Sequence, residues 1–320
     1  MAALIDFHTH LFSRAFFEAL AQLSPQPGPN IDKIDRVARE LSIEVPSSSH
    51  HDHLRRWMAE MERYGVQHMV SFASVPDEVD ILTELMPRAS GRISAFAVVD
   101  PRAKGAPGRA RELLDSGFSG LLLFPAMHRF RLDGPELSAV LDVLEEDGAV
   151  ALVHCGLLQI RVRDQFGIPR EYDLSLANPL HLIPAADRHP RTRFVIPHFG
   201  AGMFRETLMA GAQCQNVYVD TSSSNSWTST QESALRLADV FERALGVFGS
   251  QRILFGTDSC VFPRGWRHDV LVAQREALGA CGLDARAKGH ILHANAAQLL
   301  RLGAPLPATA KAPRIESRKS

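Results

Sequence analysis

Cysteine is scarce: only Cys155, Cys214, Cys260 and Cys281 occur in 320 residues, widely separated and with no CxxC pair. That usage does not build a disulfide scaffold and suits a reducing cytosol. No charge of one sign dominates, since the formal net charge is −1. Nothing global therefore favours nucleic acid or an anionic membrane surface as a partner. No apolar run is long enough to span a bilayer, and the first residues lack the basic flank and long apolar core of a signal peptide. The expectation is a soluble, cytoplasmic protein. The glycine-containing turns match neither GxGxxG nor GxxxxGK[ST], so nucleotide binding has no support.

What the chain does have is alternation. Short apolar, β-branched runs at 3–7, 66–73, 93–99, 120–124, 149–154, 193–198, 217–221 and 252–257 are separated by amphipathic stretches such as 136–146 and 232–245. Nearly continuous hydrophobics such as Leu121-Leu122-Leu123-Phe124 are the mark of parallel strands buried on both faces. Gly105-Ala106-Pro107-Gly108 and Asp133-Gly134-Pro135 place proline early in a helix. Eight such units give a closed barrel or a doubly wound sheet, and the strand count favours the (β/α)8 barrel in a single domain over residues 1–302. Residues 11–50 break the repeat with a Pro-rich stretch and a helix at 32–41; leaving from a strand's C-terminal end, they are an insertion over the barrel mouth. A closing helix is expected at 283–302, and 303–320, rich in Ala, Pro, Lys and Ser, has the composition of a disordered tail.

The chemistry-bearing residues gather at strand ends. In Asp6-Phe7-His8-Thr9-His10 the two histidines are two positions apart, and on a strand they share a face within reach of one ion. Neutral imidazoles ligate zinc, iron, nickel or manganese. His154 ends the fifth run, His198 the sixth and Asp258 the eighth. All five fall on the face where barrel enzymes build their sites.

The motifs DFHTH, LVHCG, PHFGAG, FGTDS and HILHANAAQLL, spread from Asp6 to Leu300, resemble the amidohydrolase superfamily. The likeness is to the branch of metal-dependent hydrolases that includes aminocarboxymuconate-semialdehyde decarboxylase. It implies His8, His10, His154 and Asp258 as ligands of a divalent metal and His198 as a base or electrophile beside the metal-bound water. Binuclear members bridge two metals with a strand-four lysine. Leu122 stands at that place here, and an aliphatic side chain cannot bridge, so one metal is expected: zinc first, manganese next. The implied mechanism uses an acidified water, with Asp258 taking its proton and His198 polarising a carbonyl. The substrate is a small amide, lactone or ester to be hydrolysed; the alternative is a carboxylated aromatic or unsaturated molecule to be decarboxylated. Family likeness also suggests a homodimer.

Substrate contacts are sought in the loops: His128 after strand four, Arg161 and Arg163 after strand five, Arg205 after the Gly-Ala-Gly turn, and Arg264 with Trp266 after strand eight. Ser222-Ser223-Ser224-Asn225 adds polar groups after strand seven. His50-His51-Asp52-His53 looks like a cluster, yet Ser49 or Asp52 as the N-cap of the following helix accounts for its polarity. Cys155 and Cys260 flank ligand positions without a sequence-adjacent activator and are read as packing residues. His181, His189, His268, His290 and His293 fall in helices and are assigned no catalytic role.

Overall fold

The computed structural model describes residues 4–222 and 227–303. Residues 304–320, nearly all of the expected tail, and Ser223, Ser224 and Asn225 lie outside the described residues.

Eight strands follow one another in sequence order around one sheet: β1 (Ile5–Thr9), β2 (His68–Ala73), β3 (Ile93–Val98), β4 (Gly120–Leu123), β5 (Val150–Val153), β6 (Arg193–Ile196), β7 (Val217–Asp220) and β8 (Ile253–Leu254). Every pairing is parallel. At the seam, Phe7 N–H donates to Phe255 O at 2.8 Å, Asp258 N–H to His8 O at 2.8 Å and His10 N–H to Ser259 O at 2.7 Å. These bonds return β8 to β1 and make the sheet a (β/α)8 barrel. β8 is shorter than the apolar run suggests, because Phe255 N–H turns to Ile291 O of the C-terminal segment.

Alternation sorts the apolar side chains into two layers. Phe7, Phe72, Phe96, Leu122, Leu152 and Val195 fill the barrel interior, closed by Ala296 and Leu300 of the C-terminal segment. Leu121 and Leu123 face outward to the helices. Each such burial stabilises the fold by roughly 1.5–3 kcal/mol. A third cluster, around Phe16, Phe17, Leu20, Ile34 and Val37, is the core of the insertion itself.

Several helices differ from the sequence expectation. The insertion holds two helices, Arg14–Leu23 and Asn30–Leu41. The next, His50–Tyr64, starts on Ser49, one of the two expected caps, whose hydroxyl accepts from Asp52 N–H. The helix expected from residue 232 begins at Leu237, because the Asp239 carboxylate accepts from Arg236 N–H and fixes the first turn there. The closing helix is three pieces, Ala285–Gly289, a π-helical turn His290–Ala294 and Asn295–Leu299. Asn295 anchors it to the barrel by donating to Ser250 O and Ile253 O at 2.8 and 2.7 Å.

Candidate metal centre

β1 carries a register irregularity between Asp6 and Thr9. Strict alternation would send Phe7 and His8 to opposite faces; with the bulge, Phe7 fills the interior and His8 still joins the site at the mouth. The His8 and His10 rings lie 5.5 Å apart. Their Nε2 atoms stand 3.7 and 3.3 Å from the same oxygen, Asp258 Oδ1. His8, His10 and Asp258 thus form one group able to hold an ion; His8, His198 and Asp220 form a second.

Hydrogen bonding separates the two. Asp220, fully buried at the end of β7, accepts from His8 Nδ1 at 2.8 Å through Oδ2. Its Oδ1 accepts from His198 N–H at 3.1 Å, from Ser222 N–H at 2.9 Å and from the Ser222 hydroxyl. An acceptor so occupied, with three donors on Oδ1 and His8 on Oδ2, is placed to orient imidazoles. By contrast, Asp258 meets no lysine or arginine among the described residues, and His10 Nδ1 is buried without a partner. Asp220 escaped the sequence analysis; its signal is an acidic residue closing the apolar run Val217-Tyr218-Val219.

Because Asp220 takes the proton-bearing Nδ1 of His8, Nε2 keeps a lone pair toward Asp258. His198 is set the same way: its Nδ1 lies 2.8 Å from Ser222 O, which can only accept. Nε2 of neutral His198 is therefore a base, and His198 becomes an electrophile only once protonated. His154 sits at the end of β5 with its ring 5.3 Å from that of His198, outside both tight groups.

Two buried carboxylates, Asp220 and Asp258, dominate the electrostatics here. Burial opposes charge on His8, but the charge and hydrogen bond of Asp220, with Asp258 behind, raise its proton affinity. Burial also pushes Asp258 up, and the hydrogen bond of His10 with the fields of His8 and His198 overcomes this, holding it far below the usual carboxylate range. Burial lowers His10 and His198 and, aided by neighbouring imidazoles, takes His154 down to about 3. The three stay neutral, as ligands and bases must.

Backbone strain is concentrated at the same residues. His198, Phe199, Gly200, Ala201 and Gly202 all have positive φ, as does Asp258, a conformation that costs about 1–2 kcal/mol at each non-glycine. Two glycines permit the close packing. A Cβ on Gly256 would stand 2.9 Å from His8 Cβ and 3.0 Å from Ser222 Cβ; one on Gly156 would meet Gly200 O at 2.1 Å.

Outside the barrel wall, Asp6 braces the seam. It accepts from His8 N–H and Thr257 N–H, both at 3.1 Å, from Thr257 Oγ1 at 2.5 Å and from Trp266 Nε1 at 2.7 Å. This corrects the expectation for Trp266: its indole is buried with Tyr64 and Phe255 in the layer between barrel and helices. Arg264 is exposed and donates to Cys260 Sγ; Arg161 and Arg205 are exposed as well. His128 is half-buried, with Nδ1 unpartnered. His51 is a surface residue paired with Glu84. His53, from the cluster discounted above, is buried, accepts from Trp57 Nε1 at 3.2 Å and hydrogen-bonds the Leu11 and Phe12 backbone. Burial pushes Cys155 up and takes Cys260 to about 11, so neither thiol is activated.

A barrel with imidazoles and a carboxylate converging at its strand ends has the architecture of metal-dependent barrel enzymes. The family profile described as Amidohydrolase matches residues 5–302, and the chain belongs to that family. No curated protein sequence matches it. Among solved structures it is similar to 5-carboxyvanillate decarboxylase from Sphingomonas paucimobilis (14% identity, 94% of this chain and 99% of that one, TM-score 0.63). It is similar also to a zinc-bound amidohydrolase from Burkholderia multivorans (18%, 94% and 99%, TM-score 0.62). A third likeness is to a probable 2-pyrone-4,6-dicarboxylic acid hydrolase from Acinetobacter baumannii (13%, 93% and 99%, TM-score 0.58). Among the described residues, no helix is long and apolar enough to cross a membrane.

Proposed function

We propose that the chain is a mononuclear metal-dependent hydrolase of a small amide, lactone or ester. The observation that carries this is the convergence of His8, His10 and Asp258 on one point beside His198. The donor set fits a divalent ion: the His8 and His10 imidazoles present Nε2 to one oxygen of a carboxylate that meets no lysine or arginine among the described residues. His8, His10 and Asp258 would hold it, with His154 the next imidazole around the mouth. Nitrogen and oxygen donors favour zinc, as in the Burkholderia multivorans structure, and admit manganese. Leu122, inside the barrel on β4, supports a single ion, having nothing with which to bridge two.

Such an ion supplies Lewis acidity and an acidified water at neutral pH. Asp258, facing both His8 and His10, orients the attacking water. His198 Nε2 accepts the water proton, and the resulting imidazolium delivers it to the leaving group. Asp220 and Ser222 keep both imidazoles in the required tautomer.

Decarboxylation is a second reading, favoured by Arg163 in the segment after β5, whose Nε is buried without a partner and whose guanidinium suits a carboxylated substrate. Screening lactones, amides and carboxylated aromatics in H2(18)O separates the two. Label in the product supports hydrolysis; CO2 release without label would replace it by the carboxy-lyase reading.

A further inference from the structure

Asp258 follows β8 in the left-handed region, with φ +59°. An aspartate keeps that conformation only where its surroundings fix it. Here both chain neighbours are fixed, and both lines of hydrogen bonds end on Asp6. Thr257 N–H donates to Asp6 Oδ1 and the Thr257 hydroxyl to Asp6 Oδ2. A carboxylate only accepts, so that hydroxyl proton is committed, and the Ser259 hydroxyl 2.6 Å away donates to Thr257 Oγ1 in its turn. Ser259 Oγ is then left to accept from Arg267 N–H, which it does at 2.9 Å. Asp6, Thr257 and Ser259 are all fully buried, and bonds so enclosed are strengthened by the low local dielectric.

The same carboxylate holds the other side of the centre. Asp6 Oδ1 accepts from His8 N–H as well as from Thr257 N–H, both at 3.1 Å. One oxygen atom therefore joins the backbone of a β1 imidazole to the residue before the β8 carboxylate. The bonds from Asp258 N–H to His8 O and from His10 N–H to Ser259 O complete the pairing. Asp6 Oδ2 is anchored from outside the wall by Trp266 Nε1, and the Trp266 backbone N–H donates to Glu60. Asp6 thus reaches the centre through the backbones it holds.

We infer that Asp6 is a positioning residue for the metal centre: by gripping His8 and Thr257 together, it sets the separation of His8 from Asp258 and the shape of the donor set. This rests on the metal-dependent reading above. Asparagine cannot replace Asp6, because its amide would turn an NH2 group toward one of the two pairs of donors.

Cobalt(II) reports the geometry of its ligands without turnover. The full-length protein, stripped of metal, is titrated with Co2+, read by the visible d–d bands of the bound ion and by competition with a chelator. Asp6→Asn and Thr257→Val bind the ion about 10–100-fold more weakly than wild type, with displaced bands. Thr257→Ser keeps the hydroxyl and restores the wild-type spectrum. Asn295→Ala frees the C-terminal segment from Ser250 O and Ile253 O at the other end of β8; it lowers the melting temperature and leaves the bands in place. If Asp6→Asn does not fold, Thr257→Val decides. Wild-type bands and affinity in folded Thr257→Val overturn the assignment. An equal displacement in Asn295→Ala does so too, since the effect would then belong to any loosening of the barrel. Failure of the metal reading looks different: wild type itself then takes up no cobalt, whereas failure of this assignment leaves wild type and variants equally loaded.

Discussion

His8 donates its Nδ1 proton to Asp220 at 2.8 Å and thereby presents Nε2 to Asp258. The carboxylate behind the imidazole decides which nitrogen is free. Asp220→Asn removes the charge that favours this tautomer while keeping the size, so metal affinity falls about 10–100-fold with the fold retained. A competition titration against a chelator reads it directly; unchanged affinity would show that Asp220 is only a packing residue.

His198 is expected to act on protons without being needed to hold the ion. His198→Asn lowers kcat by about 10²–10⁴-fold and leaves metal content near the wild-type level. Loss of the metal together with the activity would instead make His198 a ligand, in line with its 4.8 Å ring separation from His8.

Gly256 is constrained by space, since any side chain there meets His8 Cβ and Ser222 Cβ. Neither atom can rotate away. Gly256→Ala is expected to destabilise the protein by about 1–3 kcal/mol and to reduce metal uptake by displacing His8. A variant with wild-type melting and metal content contradicts this packing account.

Glu78 gives a pH signature away from the centre. Its buried carboxylate accepts from Ser13 N–H at 2.8 Å, Ser13 Oγ at 2.9 Å and Ser74 N–H at 3.0 Å. Burial nonetheless raises its pKa to about 7 from 4.5. The folded state then holds this proton more tightly than the unfolded chain does. The contribution to stability is complete below pH 4.5 and is lost as pH rises through 7. Glu78→Gln should remove a pH-dependent loss on the order of 2–3 kcal/mol, read from urea unfolding at pH 5 and pH 8. Parallel pH dependence in wild type and variant would exclude Glu78 as its source.

The barrel was legible because parallel strands buried on both faces are written as apolar runs, and Leu121-Leu122-Leu123-Phe124 is of that kind. His8, His10, His198 and Asp258 were legible because each closes such a run. Asp220 does too, but a lone aspartate at a strand end carries no motif, and its role depends on where the His8 ring falls across the barrel. Trp266 was misplaced for the converse reason: its loop leaves the mouth side, while the bond to Asp6 draws the indole behind the wall. The path of the post-β5 segment lay beyond sequence patterning, since Phe166 finds its partners in the insertion more than a hundred residues earlier.

The central claim is a single ion held by His8, His10 and Asp258, and metal stoichiometry tests it most directly. Elemental analysis of zinc- or manganese-reconstituted protein should find close to one ion per chain in wild type and strongly reduced content in Asp258→Ala and in His8→Ala with His10→Ala. Two tightly held ions per chain, or full occupancy in Asp258→Ala, would contradict it.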